Sequence, residues 1–323
     1  MKRDDACSKI NEYAVKGIPF LFVTDFEGLN TAVLTIPEAG ENGVFFGMGE
    51  AGNTVPGPIP ARAFSFIPKP PDYDSYRLAF EKVSWHLKRG DTYLVNLTFP
   101  TELETSLNLQ DLFNISRAPY KLLFADHFTV FSPEPFIRIE DGIIRSNPMK
   151  GTIDASVPDA ENMLLNDRKE YYEHNTIVDL IRNDLAMVSA SVKVDRFRYI
   201  ERINTNRSDL LQMSSEISGR LPKGHWRHLG EDLFKLLPAG SVSGAPKEKT
   251  VEVIHEAEND RRGFYTGVFG YFSGRALTSA VMIRFIENED GMLRFRSGGG
   301  ITALSDCESE YKELNDKVYV PFV

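Results

Sequence analysis

Cysteine is scarce in this sequence: only Cys7 and Cys307 occur among its 323 residues. Neither has a second thiol nearby, so no CxxC metal or redox motif can be written and a disulfide scaffold is excluded. The chain also lacks any apolar run approaching the ~18 residues that a membrane-spanning helix needs. Its first ten residues mix acids with basic residues and contain no apolar core typical of an export signal. We therefore expect a cytoplasmic protein without a membrane partner.

Basic residues are in the minority, with 37 Lys and Arg against 46 Asp and Glu and a net charge of −9. This is the wrong sign for a protein that binds phosphate backbones, so nucleic acid is an unfavourable partner. A nucleotide-binding loop is also missing. Residues 47–52 match GxGxxG, but prolines at positions 56, 58 and 60 prevent the helix that the dinucleotide fingerprint requires.

The order of apolar runs predicts an α/β (α+β) protein with large antiparallel sheets flanked by helices. Several runs adjoin across short turns such as Asp141-Gly142 and Asp290-Gly291, which is typical of hairpins. The one candidate connection is the proline-rich stretch 50–72, which divides a strand-rich region, 1–71, from a continuous unit, 72–323. Strands are predicted at 18–23, 44–46, 93–97, 120–124, 128–131, 136–139, 264–272, 280–286 and 292–297, and helices at 74–88, 159–187, 208–217, 230–237, 247–258 and 305–319.

The densest glycine and serine signal is LPAGSVSGAPK, at 237–247, directly before a predicted helix. Free backbone N–H groups and a helix N-terminus would seat a carboxylate there, although an ordinary left-handed turn and cap is an equal alternative. Further along the chain, Arg284 is a charge inside an apolar run. Its partner is either a substrate carboxylate or an internal acid. The cluster at 182–184, Arg-Asn-Asp, is better explained as an internal ion pair and cap.

Two predicted helices carry glutamates three residues apart, which places each pair on one helix face. The first pair is Glu170 and Glu173, and the second is Glu310 and Glu313, in a helix that Ser305 and Glu308 would begin as a capping box. If the faces met, four carboxylates would repel one another unless a divalent cation lay between them, and Mg²⁺ suits such oxygen ligands. Two solvated helix faces are the alternative.

Lys150 lies between a proline and a glycine in SNPMKGTI, and Glu134 lies in SPEPF at the start of a strand. A lysine that acts as a nucleophile must be uncharged when it attacks, and a carboxyl group must hold its proton to act as a general acid. A surface lysine is the common alternative. Composition alone does not place these two residues together.

Seven segments, in order, make the chain resemble the chorismate-utilising enzymes, which include anthranilate synthase and aminodeoxychorismate synthase component I, isochorismate synthase and salicylate synthase. They cover about residues 72–320, whereas the region before them resembles the family only in its strand-rich character. The segments are GDTYLVNL (90–97), SPEPF (132–136), NPMKGT (147–152), EHNTIVDLIRNDLA (173–186), PAGSVSGAPK (238–247), RRGFYTGVFGYF (261–272) and GGGITALSDCESEYKELNDK (298–317).

The resemblance implies an anthranilate-synthase-like sandwich and a site that binds chorismate and Mg²⁺. It assigns the metal to Glu173 and Glu313, with Glu170 and Glu310 in support, and the chemistry to Lys150 and Glu134. The substrate-binding residues that it implies are Thr152, Ser243, Gly244, Ala245, Lys247, Tyr265, Arg284 and Gly300.

Two positions indicate which member the chain resembles. The lysine that activates water in isochorismate and salicylate synthases is replaced by Leu94, and Lys150 matches the P-x-K-G-T pattern of aminodeoxychorismate synthase component I. This implies amination of chorismate to 4-amino-4-deoxychorismate, toward 4-aminobenzoate and folate, with ammonia from a separate glutamine amidotransferase subunit. Leu94 and Gln212 depart from residues common in relatives. Anthranilate synthase component I and a non-catalytic chorismate-binding subunit therefore remain alternatives.

Overall fold

The computed structural model describes residues 1–53, 64–203 and 209–321. Every described strand pairing in it is antiparallel. The described strands are β1 (Phe20–Thr24), β2 (Thr31–Thr35), β3 (Val44–Met48), β4 (Ala51–Gly52), β5 (Phe66–Lys69), β6 (Leu94–Thr105), β7 (Tyr120–Phe124), β8 (Phe128–Ser132), β9 (Pro135–Glu140), β10 (Ile143–Ser146), β11 (Met149–Asp154), β12 (Ala190–Ile203), β13 (Leu210–Arg220), β14 (Gly244–Ala245), β15 (Val268–Phe272), β16 (Leu277–Val281), β17 (Phe285–Glu289) and β18 (Met292–Ile301).

The strands form two sheets that pack face to face. The first follows the order β11, β13, β10, β9, β16, β15, β1, β2, with β12 also paired to β13; the second follows β14, β6, β18, β17, β8, β7, β3, β4, with β5 also paired to β6. Leu21 and Phe269 of the first sheet and Val130 and Phe285 of the second are fully buried in one apolar cluster between them. Burial of these side chains on facing sheets stabilises the sandwich. The predicted α/β class with large antiparallel sheets is confirmed.

Helices cover the sheets, and none of those described is long and apolar enough to cross a membrane. The most amino-terminal of them was not predicted, because its sequence is largely polar and buries only four small or medium side chains. The described helices are α1 (Arg3–Lys16), α2 (Ile36–Glu41), α3 (Tyr73–Arg89), α4 (Leu109–Ile115), α5 (Ala160–Asn166), α6 (Arg168–Ala186), α7 (Leu229–Lys235), α8 (Lys247–Ala257) and α9 (Cys307–Asp316).

The amino-terminal strands belong to both sheets: β1 pairs with β15, and β3 pairs with β7. The GxGxxG segment is a β3–β4 hairpin in which Gly47 faces Gly52, so no helix opens at its third glycine. The proline-rich stretch contains β4 and the edge strand β5. Its residues 54–63 lie outside the described residues.

The helix predicted over 208–217 is wrong. Residue 208 lies outside the described residues, and 210–220 form β13. That strand pairs with β10, β11 and β12, so it is the central strand of its half of the sheet. Pairing with neighbouring strands decides the structure here, because a short run of serine and aliphatic residues fits both the helical repeat and the strand repeat.

Capping residues correct two other helix predictions. The predicted helix over 159–187 is two helices, because Asp167 ends α5 and caps α6 by accepting a hydrogen bond from the Glu170 N–H at 2.9 Å. The last helix begins at Cys307, capped by Asp306 rather than by a Ser305 box. The helix predicted over 74–88 is confirmed as α3, which ends at its C-cap Gly90, and Leu78 on this helix is 56% exposed.

Of two predicted strands, the one at 264–272 is shorter than expected, and the one at 280–286 is interrupted between β16 and β17. Residues 264–267 precede β15, and residues 282–284 form the turn between β16 and β17. Arg284 therefore lies just before a strand rather than within one, with φ of 54°. This turn joins β16 of the first sheet to β17 of the second, and the pairing of β17 with β18 ends at Phe285 and Arg296.

Candidate active site

The candidate site lies at an open edge of β18. Strand β17 pairs with β18 only as far as Arg296, whereas β6 continues beside β18 to Ile301. Residues 298–300 are three partly buried glycines, so this stretch of strand has no side chains of its own. The fold thus leaves one edge of the second sheet accessible to side chains from β11, α6 and α9.

Gly300 is the point where the predicted nucleophile and a predicted metal ligand meet. A Cβ atom on Gly300 would lie 3.2 Å from Lys150 Nζ, 3.4 Å from Glu173 Oε2 and 3.1 Å from Leu94 Cδ1. Lys150 Nζ is itself 3.5 Å from Glu173 Oε2. Lys150 lies in β11 at an irregularity in its pairing with β13, next to Gly151 with φ of 77°. A methyl group at position 300 would require these side-chain ends to move by a few tenths of an ångström.

The two glutamate pairs approach each other, and lysines lie among them. Lys169 Nζ is 2.8 Å from Glu310 Oε1 and 3.8 Å from Glu173 Oε1. Glu313 Oε1 is 2.7 Å from Lys317 Nζ. Glu170 lies against Gly151, where an added Cβ would be 3.0 Å from its Oε2. The helix faces therefore converge on the site, with their negative charge compensated by ammonium groups.

The carboxylates fit a divalent cation by their donor chemistry. Glu173 is 6% exposed, and its Oε1 atom has no hydrogen-bond partner, which is costly for a buried carboxylate oxygen. In the present arrangement no three acidic, histidine or cysteine side chains among residues 1–53, 64–203 and 209–321 are grouped closely enough to hold a metal ion. Because Lys169 Nζ lies 2.8 Å from Glu310 Oε1 and 3.8 Å from Glu173 Oε1, a cation between these two carboxylates would have to displace its ammonium group.

The protonation of Lys150 is set by opposing influences. Burial lowers the pKa of Lys150, but the charges of Glu173, Glu134, Glu170 and Glu313 outweigh burial and raise the pKa above its ordinary value. The residues of the chain alone therefore favour the ammonium form, in contrast to the expected uncharged amine. The physical reason is the density of carboxylates around it.

The environment of Glu134 shifts its pKa in the direction that a general acid needs. Burial raises the pKa of the Glu134 carboxyl, and this outweighs the lowering by the Ser241 hydrogen bond and by the charges of Lys150 and Arg284. Ser241 Oγ donates a short hydrogen bond to Glu134 Oε1. Because the charge of Lys150 acts on the Glu134 carboxyl, the two residues lie near each other. The sequence alone could not establish this proximity.

The charge of Arg284 acts on Glu134 and Lys317 of the site and on Tyr265. Arg284 Nε is buried without a hydrogen-bond partner, and the guanidinium carbon is 5.0 Å from the centre of the Tyr319 ring. Tyr265 is 3% exposed, and burial raises the pKa of its phenol. A buried guanidinium N–H that lacks an acceptor suits a bound carboxylate.

The glycine-rich loop meets β6 at Leu94. A Cβ on Gly244 would overlap the Leu94 carbonyl oxygen, and Ala245 pairs with Leu94 across the sheet. Ser243 is fully buried, with its hydroxyl donating to the Ala239 carbonyl at 2.9 Å. These contacts account for the small residues of the loop by backbone proximity.

Two predicted substrate contacts point elsewhere. Lys247 Nζ is 2.9 Å from Asp184 Oδ2 and 3.0 Å from the Leu236 carbonyl, so its amine is already used within the protein. This is the internal ion pair expected at 182–184, although Arg182 pairs with Asp179 instead. Thr152 is exposed on β11 opposite Gln212.

Three further residues of the site were not identified from the sequence. Lys169 and Lys317 flank the glutamates, a pattern that is also typical of solvated helices. Asn96 is 9% exposed and its Nδ2 has no hydrogen-bond partner. It lies on the same face of β6 as Leu94, directly opposite Gly300. No sequence signal distinguishes its amide from an ordinary strand residue.

Comparison with known proteins decides the family. A family model described as chorismate binding enzyme matches residues 53–322. The chain belongs to the chorismate-binding enzymes. The resemblance inferred from the seven segments is therefore confirmed.

Three known proteins are similar to the chain over different lengths. An uncharacterized PabA-like protein of Haemophilus influenzae is 47% identical over 96% of this chain and 94% of its own length. Aminodeoxychorismate synthase component 1 of Salmonella typhimurium is 36% identical over 75% of this chain, but the match covers 56% of that protein. The structure of anthranilate synthase component I from Streptococcus pneumoniae gives a TM-score of 0.67 at 26% identity, covering 81% of this chain and 60% of that one.

Proposed function

We propose that this chain converts chorismate and ammonia to 4-amino-4-deoxychorismate and water. The observation that carries the proposal is the meeting of Lys150 Nζ and Glu173 Oε2 over the uncovered backbone of Gly300. The amine proposed to attack the substrate and a carboxylate proposed to bind the metal are thus 3.5 Å apart. The 36% identity to an aminodeoxychorismate synthase component 1 also supports this reaction.

The first half-reaction uses Lys150 and Glu134. The Lys150 amine forms a bond to C2 of the ring, the double bonds shift, and the C4 hydroxyl leaves as water with the proton of Glu134. Burial raises the pKa of Glu134, which favours the protonated carboxyl that this step requires. Lys150 must first lose the proton that its acidic neighbours favour.

The second half-reaction restores both residues. Ammonia forms a bond to C4, the double bonds shift back, and the Lys150 nitrogen leaves C2. The new C4 ammonium then loses a proton, which returns to Glu134. The enolpyruvyl group is retained throughout, so the sum is exchange of the C4 hydroxyl for an amine.

Two charged regions would hold the two carboxylates of chorismate. Arg284, with its unpartnered Nε, and Tyr265 would bind one carboxylate. Glu173 and Glu313, supported by Glu170 and Glu310, would hold Mg²⁺, which when bound supplies a positive charge for the ring carboxylate and offsets the field around Lys150. The residues of the glycine-rich loop would form the wall of the pocket between them.

Ammonia would come from a separate glutamine amidotransferase subunit. The name of the Salmonella relative, component 1, supports the existence of a second component. The seven segments of this chain that resemble the family include no amidotransferase signature. We further propose that the pair works in the cytoplasm and supplies 4-aminobenzoate for folate, once a lyase has removed the enolpyruvyl group.

Product identification tests the reaction. Purified protein, chorismate, Mg²⁺ and ammonium should yield 4-amino-4-deoxychorismate by mass spectrometry, and 4-aminobenzoate once a lyase is added. Fluorescent anthranilate as the product would reject the proposal in favour of anthranilate synthase, the activity named for the Streptococcus structure. Chorismate binding without turnover, at any Mg²⁺ concentration, would favour a non-catalytic binding subunit.

A further inference from the structure

Lys169 stands at a position where a positive charge does not stabilise its own helix. It is the second residue of α6, after the cap Asp167, and the N-terminus of a helix carries partial positive charge. An ammonium group there interacts unfavourably with the helix dipole. The stabilising partners of Lys169 must therefore lie outside the first turn.

Those partners are two buried carboxylates from different helices. The Lys169 ammonium is 2.8 Å from Glu310 Oε1 of α9 and 3.8 Å from Glu173 Oε1 of its own helix. The side chains of Glu310 and Glu173 are 2% and 6% exposed, whereas that of Lys169 is 37% exposed. The cation can thus leave toward solvent, but the two anions cannot.

The ammonium lies against Glu173 Oε1, the oxygen that has no hydrogen bond. The other oxygen of that carboxylate faces Lys150 at 3.5 Å. Charges therefore alternate through the site from Lys150 to Glu173, Lys169 and Glu310. This alternation explains how buried carboxylates from two helices remain close together.

We infer that Lys169 is an internal counter-ion that competes with the divalent cation for Glu173 and Glu310. The inference rests on the cation site of the proposed function. Lys169 keeps the two carboxylates neutralised, and it moves into solvent when a divalent cation binds. The site therefore carries one compensating cation in either state, and the affinity for Mg²⁺ is set partly by the cost of displacing the lysine.

Removal of the Lys169 charge tests both of its effects, which are stabilisation of the carboxylates without Mg²⁺ and competition with Mg²⁺ for them. Lys169→Met keeps the length of the side chain but leaves Glu310 buried without its cation, so the midpoint of thermal unfolding in EDTA should fall by about 3 °C or more. Addition of Mg²⁺ should raise the midpoint of thermal unfolding more in Lys169→Met than in wild type. By calorimetry, the variant should bind Mg²⁺ about 10-fold more tightly, because no ammonium has to be displaced. Lys312→Met, at an exposed position of α9, is the matched control and should change neither quantity.

The outcomes distinguish the inference from the proposal on which it rests. If Lys169→Met binds Mg²⁺ no more tightly than wild type does, the competition is rejected and the cation site itself is retained. Absence of Mg²⁺ binding in both proteins rejects the cation site and, with it, the competition. Lys169→Arg retains the charge and should keep the stability of wild type in EDTA, which separates loss of charge from a general folding defect.

Discussion

Lys150 Nζ and Glu173 Oε2 lie 3.5 Å apart, although one belongs to a strand of the first sheet and the other to helix α6. Neither side chain is placed by its own element alone. The irregular pairing of β11 and β13 presents the lysine, and the Asp167 cap sets where the helix begins. The juxtaposition is a property of the tertiary fold and supports chemistry that needs both groups.

Replacement of Lys150 tests its role directly. In Lys150→Ala we expect the rate of amination to fall by about 10³-fold or more, because the nucleophile is removed. Stabilisation of the protein by chorismate in a thermal unfolding assay should persist, since Arg284 and the carboxylates remain. Retention of amination in the variant would show that Lys150 is not the attacking group.

The hydrogen bond from Ser241 should tune the pH dependence of catalysis. Ser241 lowers the pKa of Glu134, against the larger effect of burial. Ser241→Ala should therefore raise the pKa of Glu134 further. Since the protonated carboxyl is the active form, activity is lost as pH rises through this pKa, and the alkaline limb of the kcat profile should move to higher pH. A limb that stays in place would assign it to another group.

Adjacent glycines provide a matched pair. A methyl group at position 300 would lie 3.2 Å from Lys150 Nζ and 3.1 Å from Leu94 Cδ1, which is too close without local shifts. At position 299 the nearest atom, Glu310 Oε2, would be 3.5 Å away, an ordinary contact. We expect Gly300→Ala to lower kcat/KM by about 10²-fold through misplaced groups, with a much smaller effect of Gly299→Ala. Similar losses in both variants would argue against Gly300 as the centre of the site.

Much of this site was predictable because local signals agreed with the tertiary fold. Glu-x-x-Glu spacing placed Glu170 with Glu173 correctly on one helix face. The proline and glycine around Lys150 are typical of a turn, whereas residues 149–154 form β11 with an irregular pairing to β13. The structure brings Lys150 and the glutamates together. From the sequence, this proximity was implied only by the resemblance to the family. Local pattern could not show that lysines lie between the glutamates, since Lys and Glu in one helix are also typical of exposed faces. The error at β13 has the same origin, because pairing with three strands is a long-range effect.

Arg284 should contribute to substrate binding rather than to stability. Its Nε is already unpartnered, so Arg284→Gln removes no internal hydrogen bond from that atom. We expect KM for chorismate to rise by about 10-fold to 100-fold, corresponding to loss of a charge-assisted contact. Arg275→Gln, at an exposed position before β16, is the control and should leave KM unchanged. An unchanged KM in Arg284→Gln would assign the guanidinium to packing against Tyr319.

The most direct measurement of the central claim is the mass of the protein itself during turnover. Wild type mixed with chorismate and Mg²⁺, with ammonium withheld, is quenched within the first turnover and analysed intact and after proteolysis. We predict an adduct with the mass of chorismate less one water, on the peptide that contains Lys150, and its absence from Lys150→Ala. An unmodified Lys150 in a preparation that forms 4-amino-4-deoxychorismate once ammonium is added would contradict covalent catalysis by this residue.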